Sequence, residues 1–64
     1  MAAKSIHDYP ENMTTIEVAE FYRVHRTTVE RLARSGELKS YKLGVRRLFK
    51  KRDVRAFFEN QKAR

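Results

Sequence analysis

The 64-residue chain contains no cysteine, one proline and two glycines. Without cysteine it can form neither a disulfide nor a thiolate metal site, and we expect it in a reducing cytoplasm. No apolar run approaches the roughly 18 residues of a membrane span, and no signal-peptide pattern opens the chain. Two glycines are too few for a glycine-rich phosphate loop. We expect one small domain, which buries only about 60% of its unfolded surface.

Catalytic and metal-binding constellations are also lacking. The two histidines, His7 and His25, are far apart in the sequence, and no group of possible ligands has the spacing of a metal site. Helix capping and solvated helix surfaces account for Glu17, Glu20 and Glu30. We therefore predict that the chain is not an enzyme and uses no metal, cofactor or small-molecule substrate.

Positive charge is what the chain has in excess. It carries 15 Lys and Arg against 8 Asp and Glu, a formal net charge of +7. Residues 23–55 include 12 basic and 3 acidic side chains, a net +9, whereas the remainder of the chain has a net −2. Solubility alone does not require such segregation. The pattern favours a polyanionic partner.

The stretch MTTIEVAEFY predicts a first helix at about residues 15–22. Thr14 is a suitable N-cap, and Glu17 three residues later completes the spacing of a capping box. Met13 before the cap and Val18 one turn later have the spacing of a hydrophobic staple. Residues expected to face the core are Val18, Ala19 and Tyr22. Residues 1–12 show no periodicity, so we expect a flexible tail there, with Ile6 and Tyr9 resting on a folded domain over 13–64.

The stretch HRTTVERLARSG predicts a second helix at about residues 26–35, with His25 as N-cap and Gly36 as a left-handed C-cap. Its apolar stripe is narrow, and its outward positions are crowded with arginine. Two short helices joined by three or four residues form a helix-turn-helix unit, whose second helix lies in the major groove of DNA. Arginine can bind guanine through two parallel hydrogen bonds, so these arginines are suited to a DNA surface.

After Gly36 the periodicity changes from helical to alternating. Two short extended runs around Gly44 predict a β-hairpin, and the stretch 51–64 predicts a third helix. We expect the basic tip of the hairpin to act as a wing that reaches phosphates or an adjacent minor groove. Residues expected to pack the hairpin against the core are Tyr41, Leu43 and Phe49. Apolar residues of the third helix are Val54, Phe57 and Phe58.

Residues 13–58 resemble the excisionase-type, MerR-like winged helix-turn-helix DNA-binding domain. The most specific parts are TTVERLARSGEL, the YKLG step into the wing, and RLFKKRDVRAFF. The resemblance implies a small α+β fold, ordered helix, helix, β-hairpin, helix. Three positions depart from the family pattern: His25 replaces the usual serine or threonine cap, Arg23 replaces a turn glycine, and Val45 stands where a basic residue is frequent.

The resemblance also implies which residues contact DNA. Predicted contacts from the second helix are Arg26, Thr27, Thr28 and Arg31, and those from the wing are Lys42, Arg46 and Arg47. The charge pattern predicts two further DNA-contacting residues, Arg34 on the helix and Lys39 beside the hairpin.

The resemblance implies sequence-specific binding to double-stranded DNA. Since the sequence ends at Arg64, without the dimerisation helix and effector domain of MerR activators, we expect an excisionase or recombination directionality factor. Such a factor bends DNA at attachment sites together with an integrase. Candidate protein partners are therefore a recombinase and further copies of the chain, and the expected location is cytoplasmic and nucleoid-associated.

Two alternatives stay open. A small phage or plasmid transcriptional regulator would present the same DNA-binding face. From another class, a protein-interaction module would contact an integrase or polymerase through Phe57 and Phe58, because two adjacent phenylalanines on a helix cannot both point straight at one core.

Overall fold

The computed structural model describes residues 5–62, with side chains described through Gln61. A 3₁₀ turn at Ile6–Asp8 precedes the first strand. The strands are β1 (Asn12–Thr14), β2 (Tyr41–Leu43) and β3 (Arg46–Lys50), and the helices are α1 (Thr15–Tyr22), α2 (Arg26–Ser35) and α3 (Lys51–Lys62). The predicted α+β class and the order helix, helix, hairpin, helix are confirmed.

Helix α1 begins where the capping signal predicts. The Glu17 amide donates to Thr14 Oγ1 at 3.2 Å, and the Thr14 amide donates to Glu17 Oε1 at 2.9 Å. Met13 and Val18 are both fully buried, so the predicted hydrophobic staple is confirmed. The reciprocal cap and the staple fix the direction in which α1 leaves β1.

The turn between α1 and α2 depends on Arg23. This residue adopts the left-handed conformation, with φ at 61°, and it is the one non-glycine residue with positive φ in the described part of the chain. The Val24 amide then donates to the Ala19 carbonyl at 3.0 Å, which closes the end of α1. Helix α2 ends similarly at Gly36, whose φ is 86°. Both predicted boundaries of α2 are confirmed.

Strand β1 is an element that the sequence pattern does not reveal. The antiparallel sheet has the order β1-β3-β2, with Met13 opposite Phe49. The Lys51 amide donates to the Glu11 carbonyl at 2.8 Å and extends this pairing into the start of α3. A strand of three residues is too short to show alternation, and its pairing with β3 defines it.

The folded unit therefore begins upstream of the expected boundary at residue 13. Tyr9 is only 4% exposed and belongs to the core, and Asn12 opens β1. Tyr9 Oη donates to Glu20 Oε1 at 3.0 Å, and Lys51 Nζ donates to the Tyr9 carbonyl at 3.0 Å. These contacts join the segment before residue 13 to α1 and α3. The expectation that Ile6 and Tyr9 rest on the domain is confirmed, since Ile6 also packs against the core. Residues 1–4 of the expected tail lie outside the described residues.

The core lies between the helices and the inner face of the sheet. Its buried residues are Tyr9, Met13, Val18, Ala19, Val29, Ala33, Leu38, Phe49 and Val54. Tyr22 and Phe57 are half-buried against it, and Tyr22 Oη donates to the Val54 carbonyl at 2.7 Å. No helix among residues 5–62 is both long and apolar enough to span a membrane.

The predicted packing of the hairpin is right for Phe49 and wrong for Tyr41 and Leu43. Phe49 is fully buried, whereas Tyr41 and Leu43 are 37% and 68% exposed. Alternate strand residues face opposite sides, and Tyr41 is paired with Leu48, the neighbour of Phe49. Burial of Phe49 therefore turns Tyr41 and Leu43 outward, and Leu38 takes the core position before the strand.

Candidate nucleic-acid interface

The start of α2 is closed by an unusual cap. The Thr27 amide donates to His25 Nδ1 at 3.2 Å, and Thr27 Oγ1 lies 3.0 Å from the same ring nitrogen. The imidazole thus takes the role of the usual serine or threonine oxygen. This cap fixes the first turn of α2, where the predicted base-contacting residues lie.

Helix α2 presents its polar residues on the side opposite the core. Val29 and Ala33 are buried. The predicted contact residues that the structure brings together on the exposed side are Arg26, Thr27, Arg31 and Arg34. Thr28 is set apart from them: it is half-buried at the other edge of α2.

Thr28 lines an apolar pocket between α2 and α3, here called the α2–α3 pocket. Its lining residues are Tyr22, Val24, Thr28, Leu32, Phe57, Phe58 and Gln61. Phe58 is 38% exposed and stacks on Tyr22, with ring centroids 5.9 Å apart and an interplanar angle of 12°. Of the two adjacent phenylalanines, Phe57 is therefore the more deeply packed.

The tip of the wing is a two-residue turn formed by Gly44 and Val45. Gly44 has φ at 68°, and the paired residues on either side are Leu43 and Arg46. A positive φ at the first turn residue alone is the pattern of a type II′ turn, which favours glycine there. Val45 is 99% exposed, so the tip presents an apolar side chain next to basic ones.

Both faces of the wing carry basic residues, but different ones. Lys42 and Arg47 lie directly opposite each other on β2 and β3. Because Arg47 is two residues from the buried Phe49, this pair lies on the face that turns toward the helices. Arg47 Nη1 donates to Ser40 Oγ at 2.9 Å, which holds the guanidinium against the base of the hairpin. Arg46 lies on the outer face.

A shallow cleft joins α2 to the inner face of the wing, and we call it the helix–wing cleft. Its lining residues are Thr15, Glu30, Arg34, Lys42, Val45 and Arg47. Three of the four charged residues are basic, and they come from both elements predicted to contact DNA. The cleft is thus predominantly basic and is lined by residues of both α2 and the wing.

Residues 13–62 match the protein family described as "Helix-turn-helix domain". The chain belongs to this family. It is an excisionase-like helix-turn-helix family, so the predicted resemblance is confirmed, and membership implies binding to DNA. Members are typically not enzymes. No curated protein and no solved structure gives a match.

Within this helix-turn-helix domain, the remaining candidates occupy separate positions. Arg46 and Arg47 border a second shallow cleft at the start of α1, together with Thr15. Lys39 is exposed ahead of β2 and lines neither cleft. No group of three or more His, Cys, Asp or Glu side chains in the described part of the chain is placed to hold a metal.

Glu30 and Ser40 belong to the candidate site but are not among the residues predicted for it. Glu30 is expected on a solvated helix surface, yet it is half-buried in the helix–wing cleft. Its position four residues before Arg34 was a usable signal. Ser40 supports Arg47 across the hairpin, and no local pattern indicates a contact set by strand register.

Among the described residues, the side chains with clearly shifted pKa values are two tyrosines that pack in or against the core of the helix-turn-helix domain. Burial, followed by the hydrogen bond to Glu20 and the charge of that carboxylate, raises the pKa of the Tyr9 phenol to about 12. Burial also raises the pKa of Tyr22. Neither tyrosine belongs to the exposed surface of α2.

Proposed function

We propose that the chain binds double-stranded DNA sequence-specifically, with α2 in the major groove and the wing beside it. The observation that carries this proposal is the helix–wing cleft, in which Arg34 of α2 meets Lys42 and Arg47 of the wing. Phosphates fix the register of a protein on a duplex, and base edges supply the specificity. A basic surface formed by both the helix and the wing can contact both along one stretch of duplex.

The pairing of Lys42 with Arg47 supports an anionic partner. Like charges directly opposite each other in a sheet are destabilising, and this pair lies on the same face as the core. A phosphate placed between them would replace repulsion with two charge-assisted contacts. The repulsion between Lys42 and Arg47 in the free protein is explained if the protein functions when bound to such a phosphate.

The proposed contacts divide by position. We assign base edges to the first turns of α2, through Arg26, Thr27 and Arg31, because the N-terminal residues of a recognition helix reach the bases. We assign phosphate or minor-groove contacts to Arg34 and to the wing. The proposed wing residues are Lys39, Lys42, Arg46 and Arg47. For Thr28, at the edge of α2, we propose at most a peripheral contact.

In the cell we propose an excisionase or recombination directionality factor that bends DNA at attachment sites together with an integrase. The excisionase-like family supports this role. Such a factor would be cytoplasmic, associated with the nucleoid, and bound in several copies. A small phage or plasmid transcriptional regulator is the second candidate, since it would use the same surface.

Sequencing of the genomic fragments that the purified protein retains at near-physiological salt separates these roles. Clustered direct repeats beside a recombination attachment site would support excision, and a site that overlaps a promoter would support regulation. Lys42→Ala should weaken retention, whereas Lys50→Ala, which removes the same charge from the part of β3 that pairs with β1, should weaken it less. Equal effects of the two variants would contradict the role of the helix–wing cleft.

A protein-interaction role through Phe57 and Phe58 is a further candidate, favoured by the α2–α3 pocket. The pocket is apolar, and Val24 and Phe58 leave 41% and 38% of their surfaces exposed beside it. An integrase or polymerase held there by apolar contacts would bind with little dependence on salt. Phe58→Ser should then abolish excision or promoter activity while leaving the protein's own affinity for DNA unchanged.

A further inference from the structure

Glu30 is the one acidic residue that lines the helix–wing cleft. Its side chain is half-buried there, and the other charged lining residues are Arg34, Lys42 and Arg47. A carboxylate at this place repels phosphate and weakens any binding that depends on the DNA backbone alone. Its presence on the DNA-facing side of α2 therefore calls for a contact other than phosphate.

The surrounding arginines do not neutralise Glu30 by direct contact. Glu30 stands four residues from both Arg26 and Arg34, the spacing at which opposite charges on a helix pair. Within residues 5–61, however, the ion pair that forms is Arg55 with Glu59 on α3, and no hydrogen bond holds the Glu30 carboxylate. That carboxylate is not sealed from solvent either, since the described part of the chain contains no fully buried, unpartnered polar side-chain atom. Its oxygens are available as acceptors.

We propose that Glu30 reads a cytosine in the major groove by accepting a hydrogen bond from its N4 amino group. This inference rests on the proposed placement of α2. Cytosine presents only that donor in the major groove, whereas guanine presents two acceptors and thymine presents an acceptor and a methyl group. Adenine has an amino donor, but its neighbouring N7 acceptor would repel the second carboxylate oxygen. Glu30 thus selects one base and rejects the others.

The half-burial of Glu30 strengthens this assignment. A glutamate confined between α2 and the wing has fewer side-chain conformations to lose on binding than a fully exposed one. The flanking basic residues hold the phosphates on either side, so the carboxylate can approach a base edge without net repulsion from the duplex. The inference makes Glu30 a specificity-determining residue.

A double-mutant cycle between protein and DNA tests this role. Wild-type protein first selects its preferred duplex from a random pool. Wild type and Glu30→Gln are then each titrated with that duplex and with one in which the C·G pair is replaced by T·A. Wild type should lose roughly tenfold in affinity on this replacement, as expected for one base contact. Glu30→Gln should lose less than about twofold.

Glu59→Gln is the matched control, because it removes the same charge from the exposed surface of α3 and should retain the full tenfold discrimination. A second measurement uses wild type alone: N4-methylcytosine keeps base pairing but replaces the major-groove hydrogen with a methyl group, and it should cost wild type a similar factor.

The possible failures are distinguishable. Equal discrimination by wild type and Glu30→Gln would overturn the inference and leave Glu30 as a counter-charge for the helix–wing cleft. A selected site without a cytosine under α2 would overturn it as well. If wild type selects no sequence at all, the proposed function fails with it.

Discussion

Arg23 occupies a conformation that suits glycine better than any side chain. Its φ of 61° places it in the left-handed region, where a side chain costs about 1–2 kcal/mol. Arg23→Gly should raise the free energy of unfolding by about 0.5–1 kcal/mol, since the greater freedom of glycine in the unfolded chain offsets part of the gain. Urea titration measures this change. Arg23→Ala removes the same charge but keeps a Cβ atom, so a comparable gain from it would contradict the explanation.

The stability of the protein should fall at high pH through Tyr9. Burial, followed by the Glu20 hydrogen bond and charge, raises its pKa to about 12 from an ordinary value of 10.0. The folded state therefore favours the protonated phenol, so this contribution is fully present below pH 10 and is lost as the pH rises from 10 toward 12. Over that range the loss attributable to Tyr9 should be at most about 2 kcal/mol, because solvent around the phenol oxygen screens part of the effect.

Chemical denaturation at a series of alkaline pH values measures this loss. Tyr9→Phe should be less stable at neutral pH by about 1 kcal/mol, the usual worth of a hydrogen bond, but it should decline less steeply above pH 10. Glu20→Gln, which removes one of the charges that raise the pKa, should fall between wild type and Tyr9→Phe. Identical alkaline declines for wild type and Tyr9→Phe would show that Tyr9 is not responsible.

At the scale of elements, substitutions on α2 and on the wing should change DNA binding in different ways. Arg31→Ala on α2 should weaken binding to the preferred site by about 1–3 kcal/mol and relax one base preference. Arg46→Ala on the wing should weaken binding to all sequences alike and lower the log–log salt slope by about one. Competition titrations on specific and random duplexes measure both effects. Arg55→Ala, on α3, is the control for loss of one positive charge.

Similar losses of base preference from Arg31→Ala and Arg46→Ala would contradict the division of labour between α2 and the wing. Unchanged affinity in both variants would falsify the docking arrangement altogether. Either result would favour a different DNA-contacting surface, such as the outer face of α3, where Arg52 and Arg55 are exposed.

Elements with local signals could be predicted from the sequence, and elements defined by partners could not. Helix α1 starts at a capping box and α2 ends at Gly36, and each signal spans only a few residues. Strand β1 exists because β3 pairs with it, and Tyr41 turns outward because Phe49 turns inward. Side chains of a strand alternate between its two faces. If the register is shifted by one residue, every side chain is therefore assigned to the wrong face.

The candidate site follows the same division. The exposed arginines of α2 were predictable, because helical periodicity alone separates them from Val29 and Ala33. The helix–wing cleft was not, since Arg34 comes to line one cleft with Lys42 and Arg47 only once the hairpin is placed beside α2. Ser40 and Glu30 belong to the candidate site for the same reason.

At the scale of the whole molecule, the charge distribution sets the response to salt. Residues 23–55 carry a net +9, and they include α2, the wing and the first turns of α3. If the duplex-bound protein neutralises about six phosphates, its affinity should fall with a log–log slope of about −5 against salt concentration. Fluorescence anisotropy at several salt concentrations measures the slope. A slope near zero would contradict phosphate contacts by both α2 and the wing.

The sheet register also has a mechanical consequence for the bound state. Strand β3 pairs with β1 through residues 48–50 and with β2 through residues 46–48, so Leu48 alone has a partner on both sides. Beyond Leu48 the hairpin is a two-stranded ribbon that projects from a three-stranded base. Only the base end of this ribbon is paired on both sides. In the proposed complex with DNA, we expect the tip of the wing to adjust to the groove more readily than its base, where Met13 lies against Phe49.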